Sequence, residues 1–239
     1  MKFLATPDDE PGEPADTGSA THRAAQAMHK EKVGTAECIA AMQRDLAKYP
    51  AADLRSAAEM FLNYTTDPRN AKAEVALCEQ FIEFCIAPAA DDPTQAPIKI
   101  IGTLDQVRIE NGRYTLWDLK TSKKDGTELL RNHMFQAAAY CVGASIHLGT
   151  PVHPGGLILP RKYKAGQIAN SPVFWHFAWS LEDTEYILEP VRHRVRDIRM
   201  GRITHMPHKE CDYCPGKTPD ICLPRLKREL PMLRTVLNT

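Results

Sequence analysis

Apolar positions along the chain follow a helical rhythm first and a strand rhythm afterwards. From Thr17 to about Leu62, Ala24, Ala25 and Met28, then Ile39, Met42 and Leu46, recur at spacings of three and four, the period of an amphipathic helix. The preceding residues, 5–19, are rich in Pro, Asp, Glu and Gly and lack the apolar surface to repay ordering, so residues 1–16 read as a flexible lead-in. Residues 63–71 (NYTTDPRNA) read as a turn-rich loop. Residues 73–86 (AEVALCEQFIEFCI) are a strand or a buried amphipathic segment, ended by the Pro-rich, acidic stretch 88–97. Residues 98–109 and 113–121 are β-branched and aromatic, and Asn111-Gly112 between them is the strongest short-range hairpin signal. After a polar loop, residues 129–148 are Ala-rich and stop at Gly149 with Pro151 just beyond, as a helix does. Residues 156–160 and 173–180 read as strands, and 181–200 as a helix with Arg192, Arg196 and Arg199 on its exposed side. The order predicts an α/β or α+β domain without internal repeats.

Composition narrows the class. The 239 residues suffice for one sizeable core, and no apolar run approaches the roughly 18–20 residues that span a bilayer. Asp8, Asp9 and Glu10 follow the opening Met too soon for a signal peptide, so a soluble, non-secreted, cytoplasmic protein is expected. Lys+Arg and Asp+Glu both number 30, which excludes a polybasic protein gripping nucleic acid with its whole surface. The zero hides a polarity: residues 1–96 hold 9 basic and 16 acidic side chains, and residues 192–239 hold 11 and 5.

The hairpin carries the candidate chemistry. Asp118 and Lys120 share a strand face, with Leu119 pointing to the other layer, and pairing through the Asn111-Gly112 turn can bring Asp105 beside them. Two carboxylates and an ammonium on one face suit a hard divalent cation, Mg²⁺ or Mn²⁺, with a lysine to hold or polarise an attacking water. Each charge alone also reads as a solvated group at a ribbon rim. Together, inside apolar strands, they are harder to explain that way.

The ordered set Gly102-Thr-Leu-Asp105, Asp118-Leu-Lys120-Thr121 and Gln136-Ala-Ala-Ala-Tyr140 resembles the motifs of the PD-(D/E)xK nuclease superfamily, specifically its RecB-like exonuclease branch. Gly18-Ser-Ala-Thr-His22 is similar to that branch's opening Gly-x-x-x-His motif, and Glu74 falls where the branch often has a glutamate. The likeness spans residues 17–225 and implies a restriction-endonuclease-like mixed sheet flanked by helices over 17–204. It also implies metal ligation by His22, Asp105, Asp118 and the Leu119 carbonyl, with Lys120 as the catalytic lysine. The branch often has Glu where Asp118 stands; both are acids. Gln136 and Tyr140, four apart on a helix, share a face, and the resemblance implies that they bond a DNA phosphate or brace the lysine. Without it they read as a surface residue and a core aromatic.

Residues 205–239 form a Cys-rich, basic tail, in which Cys211, Cys214 and Cys222 read as a metal knuckle or as reduced structural thiols. The trio also resembles that of iron–sulfur RecB-like nucleases, whose fourth cysteine this chain lacks. An iron–sulfur cluster, zinc with His208 as fourth ligand, or a lost metal all remain open. Pro215-Gly-Lys217-Thr218 is no P-loop, because Cys211 stands where that motif needs glycine, so helicase or recombinase coupling would need a partner protein. The leading expectation is a metal-dependent DNA exonuclease of recombination, repair or phage DNA processing. The alternatives are a catalytically silent nucleic-acid-binding or scaffold subunit that keeps the fold, and a zinc-knuckle interaction protein.

Overall fold

The computed structural model describes residues 13–121, 126–160 and 172–201. Cys211, Cys214, Cys222, His208 and the lead-in up to residue 12 lie outside the described residues. The chain forms two compact units, residues 11–195 and a unit joining residues 1–10 with 196–239. Only residues 196–201 of the second are described.

The N-terminal helical rhythm resolves into three helices, α1 (Glu13–Gln26), α2 (Thr35–Asp45) and α3 (Ala51–Thr66), with a π-helical turn at Ala27–Glu31. The breaks fall at Gly34 and Pro50, which precede α2 and α3. Helix α1 begins earlier than composition suggests: Pro14 lies in its first turn, where a missing N–H costs nothing, and Thr17 and Ala20 are already buried. The loop expected at 63–71 is also helical. Asp67 caps a short helix, α4 (Pro68–Ala71), by accepting the Arg69 N–H at 2.8 Å, so Asp-Pro here is an N-cap followed by N1, not a turn.

A five-stranded mixed sheet follows the order β1 (Val75–Ile86), β2 (Ile98–Glu110), β3 (Arg113–Leu119), β4 (Val152–Leu159) and β5 (Val173–His176). Strands β3 and β4 are parallel and the other pairs antiparallel. The parallel pair needs a crossover, and α5 (Gly126–Leu148) supplies it. The β2–β3 turn has positive φ at both Asn111 (52°) and Gly112 (75°), the type I′ geometry its sequence demands. Helix α6 (Thr184–Arg199) closes the described chain.

Helices cover both faces. One core joins Ala137, Ala138, Cys141 and Ala144 of α5 and Ile187 and Leu188 of α6 to Ile82, Phe84, Leu104, Val107 and Leu116 of the sheet. The other packs Ala20, Ala24, Met42, Phe61 and Tyr64 of the N-terminal helices onto Trp117, Leu119 and Ile158. Arg192, expected on the exposed side of its helix, is 6% exposed. Its guanidinium donates to the Glu185 and Glu189 carboxylates and to the Ala87 carbonyl, which makes the burial tolerable.

Candidate active site

Strands β2 and β3 part where the acids sit. Their ladder runs from Glu110↔Arg113 to Gln106↔Trp117 and stops. One residue further, the Asp105 carboxylate Oδ2 accepts the Leu119 backbone N–H at 2.6 Å, taking the place of a ladder bond. In an extended strand the N–H and C=O of one residue point the same way, so the Leu119 carbonyl is turned toward the same gap. Asp118 Oδ2 is buried and lies 2.8 Å from Lys120 Nζ, as an ion pair lacking hydrogen-bond geometry. Thus Asp105, Asp118 and Lys120 converge at the mouth of the gap.

Strand β2 turns over at this point. Leu104 packs in the α5-side core, whereas Gln106 donates to the Tyr64 hydroxyl of α3 on the opposite side, 2.8 Å away. Residues two apart in a regular strand share a face; these do not. Across from them, Cys78 pairs with Gln106 and Gln80 with Leu104, and Glu79 between has a φ of 44°. A left-handed backbone at a non-glycine strand position costs on the order of 1–2 kcal/mol. The kink sets the Glu79 carboxylate against His22 of α1, with Oε1 3.0 Å from Nδ1. His22 Nδ1 is also 3.7 Å from Asp105 Oδ2.

The structure therefore places Glu79 at the site in the position where the sequence suggested Glu74. Glu74 is exposed, and its carbonyl accepts the Ile109 N–H near the far end of β2. β1 offers two acids among its apolar residues, Glu79 and Glu83, and nothing in the sequence separates the one at the site from the exposed one. Which face Glu79 takes depends on a local reversal that strand periodicity does not carry.

Electrostatics follow from the crowding. Burial and the neighbouring Asp118 and Glu79 charges push the Asp105 carboxyl up to about 7, against the pull of His22 and Lys120. Burial alone would lower His22; the Glu79 hydrogen bond and the Asp105, Glu79 and Asp118 charges outweigh it and raise the imidazole above its ordinary value. Lys120 behaves likewise, with burial overcome by Asp118 first, and stays an ammonium. The site holds more anionic than cationic groups and is short of positive charge.

Its donors suit a hard divalent cation. His22, Glu79 and Asp105 each present a ligand atom, all within 4.8 Å of one another; Asp118 stands outside that trio, its charge felt by Asp105 and its Oδ2 turned to Lys120. Beside them opens a cleft of about 460 Å³ lined by Gly18, Ser19, His22, Gln26, Glu79 and Thr121 among others.

Two motif glycines have steric reasons. A Cβ on Gly102 would stand 2.7 Å from the Tyr140 hydroxyl and 2.8 Å from its ring, so the tyrosine of α5 lies directly on β2. A Cβ on Gly18 would stand 2.8 Å from Thr121 Oγ1, so α1 approaches the end of β3 closely enough to deliver His22. On α5, His133 Nδ1 lies 2.8 Å from Gln136 Oε1, and Gln136 Nε2 donates to the Tyr140 hydroxyl at 3.3 Å. Burial pushes the Tyr140 phenol up, keeping its proton on.

A family model for the PD-(D/E)XK nuclease superfamily matches residues 2–222. No curated protein matches the chain. Among solved structures it is similar to a protein described as "Putative exonuclease" from Eubacterium rectale, with 11% identity over 89% of this chain and 92% of that one and a TM-score of 0.45. It is also similar to the protein SSO0001, with 19% identity over 84% and 81% of the two chains and a TM-score of 0.38. With a family match across most of its length and a mixed sheet flanked by helices, the chain belongs to the PD-(D/E)XK nuclease superfamily.

Proposed function

We propose that the chain is a divalent-metal-dependent nuclease that hydrolyses DNA phosphodiester bonds, working from ends as an exonuclease. The observation that carries this reading is the meeting of His22, Glu79, Asp105, Asp118 and Lys120 where β2 and β3 part. His22, Glu79, Asp105 and Asp118, with the Leu119 carbonyl, would hold Mg²⁺ or Mn²⁺. Such an ion supplies a water of lowered pKa and neutralises charge gathering on the phosphate oxygens.

The chain's own groups divide the remaining work. Lys120, held by Asp118, presents a fixed ammonium to the scissile phosphate and stabilises the charge developing on it. The Leu119 N–H fixes one oxygen of Asp105 and so orients the other. His133 orients the Gln136 amide toward Tyr140, and Tyr140 keeps a neutral hydroxyl beside Asp118 and Asp105 as a phosphate donor. A silent scaffold has no physical need to bury acids short of counter-charge.

Linear and circular DNA, single- and double-stranded, incubated with Mg²⁺, Mn²⁺ or chelator, test the proposal. Degradation of linear DNA only, stopped by chelator, is expected; cutting of closed circles contradicts the exonuclease assignment, and inertness on every substrate contradicts the nuclease. The cysteine trio stays a proposed zinc or iron–sulfur knuckle, to be read by metal analysis and absorbance near 400 nm.

A further inference from the structure

Beyond the kink at Glu79, one face of the β1–β2 ribbon is open. Phe81, Glu83 and Cys85 on β1 and Lys99, Ile101 and Thr103 on β2 are all exposed, alternating with buried neighbours on β1 and buried or half-buried ones on β2. The N-terminal helices meet β1 and β2 through polar groups, Glu79, Asp105, Gln106 and Arg108, whereas among the described residues their apolar core takes sheet side chains from β3, β4 and β5 alone, so no apolar packing from that layer reaches this face. Two large apolar side chains stand on it, Phe81 at 57% and Ile101 at 52% exposure. Phe81 pairs with Thr103 and Glu83 with Ile101, which makes Phe81 and Ile101 diagonal neighbours within side-chain reach. A lone exposed apolar residue needs no explanation, but an adjoining aromatic and aliphatic pair on a bare sheet face does.

We infer that Phe81 and Ile101 form a stacking platform for unpaired nucleobases of the substrate strand, next to the scissile phosphate. The inference rests on the nuclease reading and deepens it by naming the substrate as a single-stranded end. Continuity with the site favours this occupant: Phe81 follows Glu79 by two residues, about 7 Å along the strand, on the ribbon that borders the cleft. That separation is on the order of one nucleotide of extended strand, so a phosphate at the acids leaves its neighbouring base at the ring. The patch's size points the same way. Two side chains fall far short of the roughly 800 Å² per partner that a stable protein interface buries, whereas a base needs only one aromatic face. Thr103 adds a hydroxyl beside the ring, and Lys99, paired with Glu83 at 2.7 Å, brings an ammonium to the outer edge.

The test uses the full chain and a short single-stranded DNA carrying 2-aminopurine, with Ca²⁺ for equilibrium binding and Mg²⁺ for single-turnover cleavage. Phe81→Ala is expected to weaken binding about 10-fold or more and to abolish the fluorescence quenching that stacking causes, whereas Phe81→Tyr keeps both. Cleavage of blunt duplex is expected to fall less than cleavage of the single strand. Equal binding and quenching by wild type and Phe81→Ala overturn the platform, and if wild type still cleaves, the nuclease reading survives that result. Wild type that binds and quenches without cleaving overturns the nuclease reading instead. A wild-type dimer in sedimentation that Phe81→Ala dissolves shows the patch to be a contact between copies, which also overturns the proposal.

Discussion

His29 shows how one residue ties fold to pH. It is 6% exposed, and its Nε2 lies 2.7 Å from a Tyr64 hydroxyl that already accepts from Gln106 and Arg108, so the hydroxyl proton goes to a neutral imidazole. Arg108 is itself buried, bonded to Gln106, Asn70 and the Arg69 carbonyl. Burial, and then the Arg108 charge, lower His29 from 6.5 to about 4. Between those values the unfolded chain binds the extra proton, so stability falls as pH drops through the window, by roughly 2 kcal/mol after screening. Asp105 has the opposite sign, since its carboxyl near 7 lies above its ordinary value and favours the metal-free fold as pH falls. The measurement is therefore a difference: urea unfolding from pH 7 to 4 should lose less stability in His29→Gln than in wild type, and parallel curves would contradict the assignment. At Gly102, Val should cost about 1–3 kcal/mol and displace Tyr140, read as a lower urea midpoint at unchanged slope. Asp105, Asp118 and Lys120 draw attention in the sequence as a set, because two acids and a lysine on one hairpin are harder to explain together than singly. Glu79 does not, because its direction depends on a positive φ that no periodicity encodes.

Among elements, legibility followed the range of the deciding interactions. The β2–β3 hairpin and the stop of α5 at Gly149 are written in adjacent residues, as their positive φ values bear out. The pairing of β1 with β2 is not, since residues 87–97 separate them and only tertiary packing sets the register. The short helix α4 was missed because Asp-Pro serves equally as turn and as cap. Helix α5 rests close on the sheet: a Cβ on Gly143 would meet the Phe84 ring at 2.4 Å and Ile82 Cδ1 at 2.8 Å. Helix propensity alone gives Gly→Ala nearly 1 kcal/mol of stability, but overpacking a filled core costs about 1–3 kcal/mol. Gly143→Ala is accordingly expected to lower the midpoint of urea unfolding; a raised midpoint would mean that Phe84 gives way freely.

For the molecule as a whole, the balance of 30 acidic and 30 basic residues says little about its chemistry. Part of the acidic excess of the first 96 residues and part of the hairpin's charge meet at one place, as Glu79 beside Asp105 and Asp118. No helix among the described residues is long and apolar enough to cross a membrane. The superfamily and the α/β layering were readable because ordered motifs survive without any one of them being specific. The central claim is that this junction of β2 and β3 cleaves DNA with a divalent cation. Its most direct test is Mg²⁺-dependent degradation of linear DNA by wild type, Asp105→Ala and Lys120→Ala, each checked for folding by circular dichroism and thermal melting. Wild type is expected to cleave in a metal-dependent way and each folded variant to lose at least about a thousandfold; full activity in either variant, or a well-folded but inert wild type, would contradict the assignment.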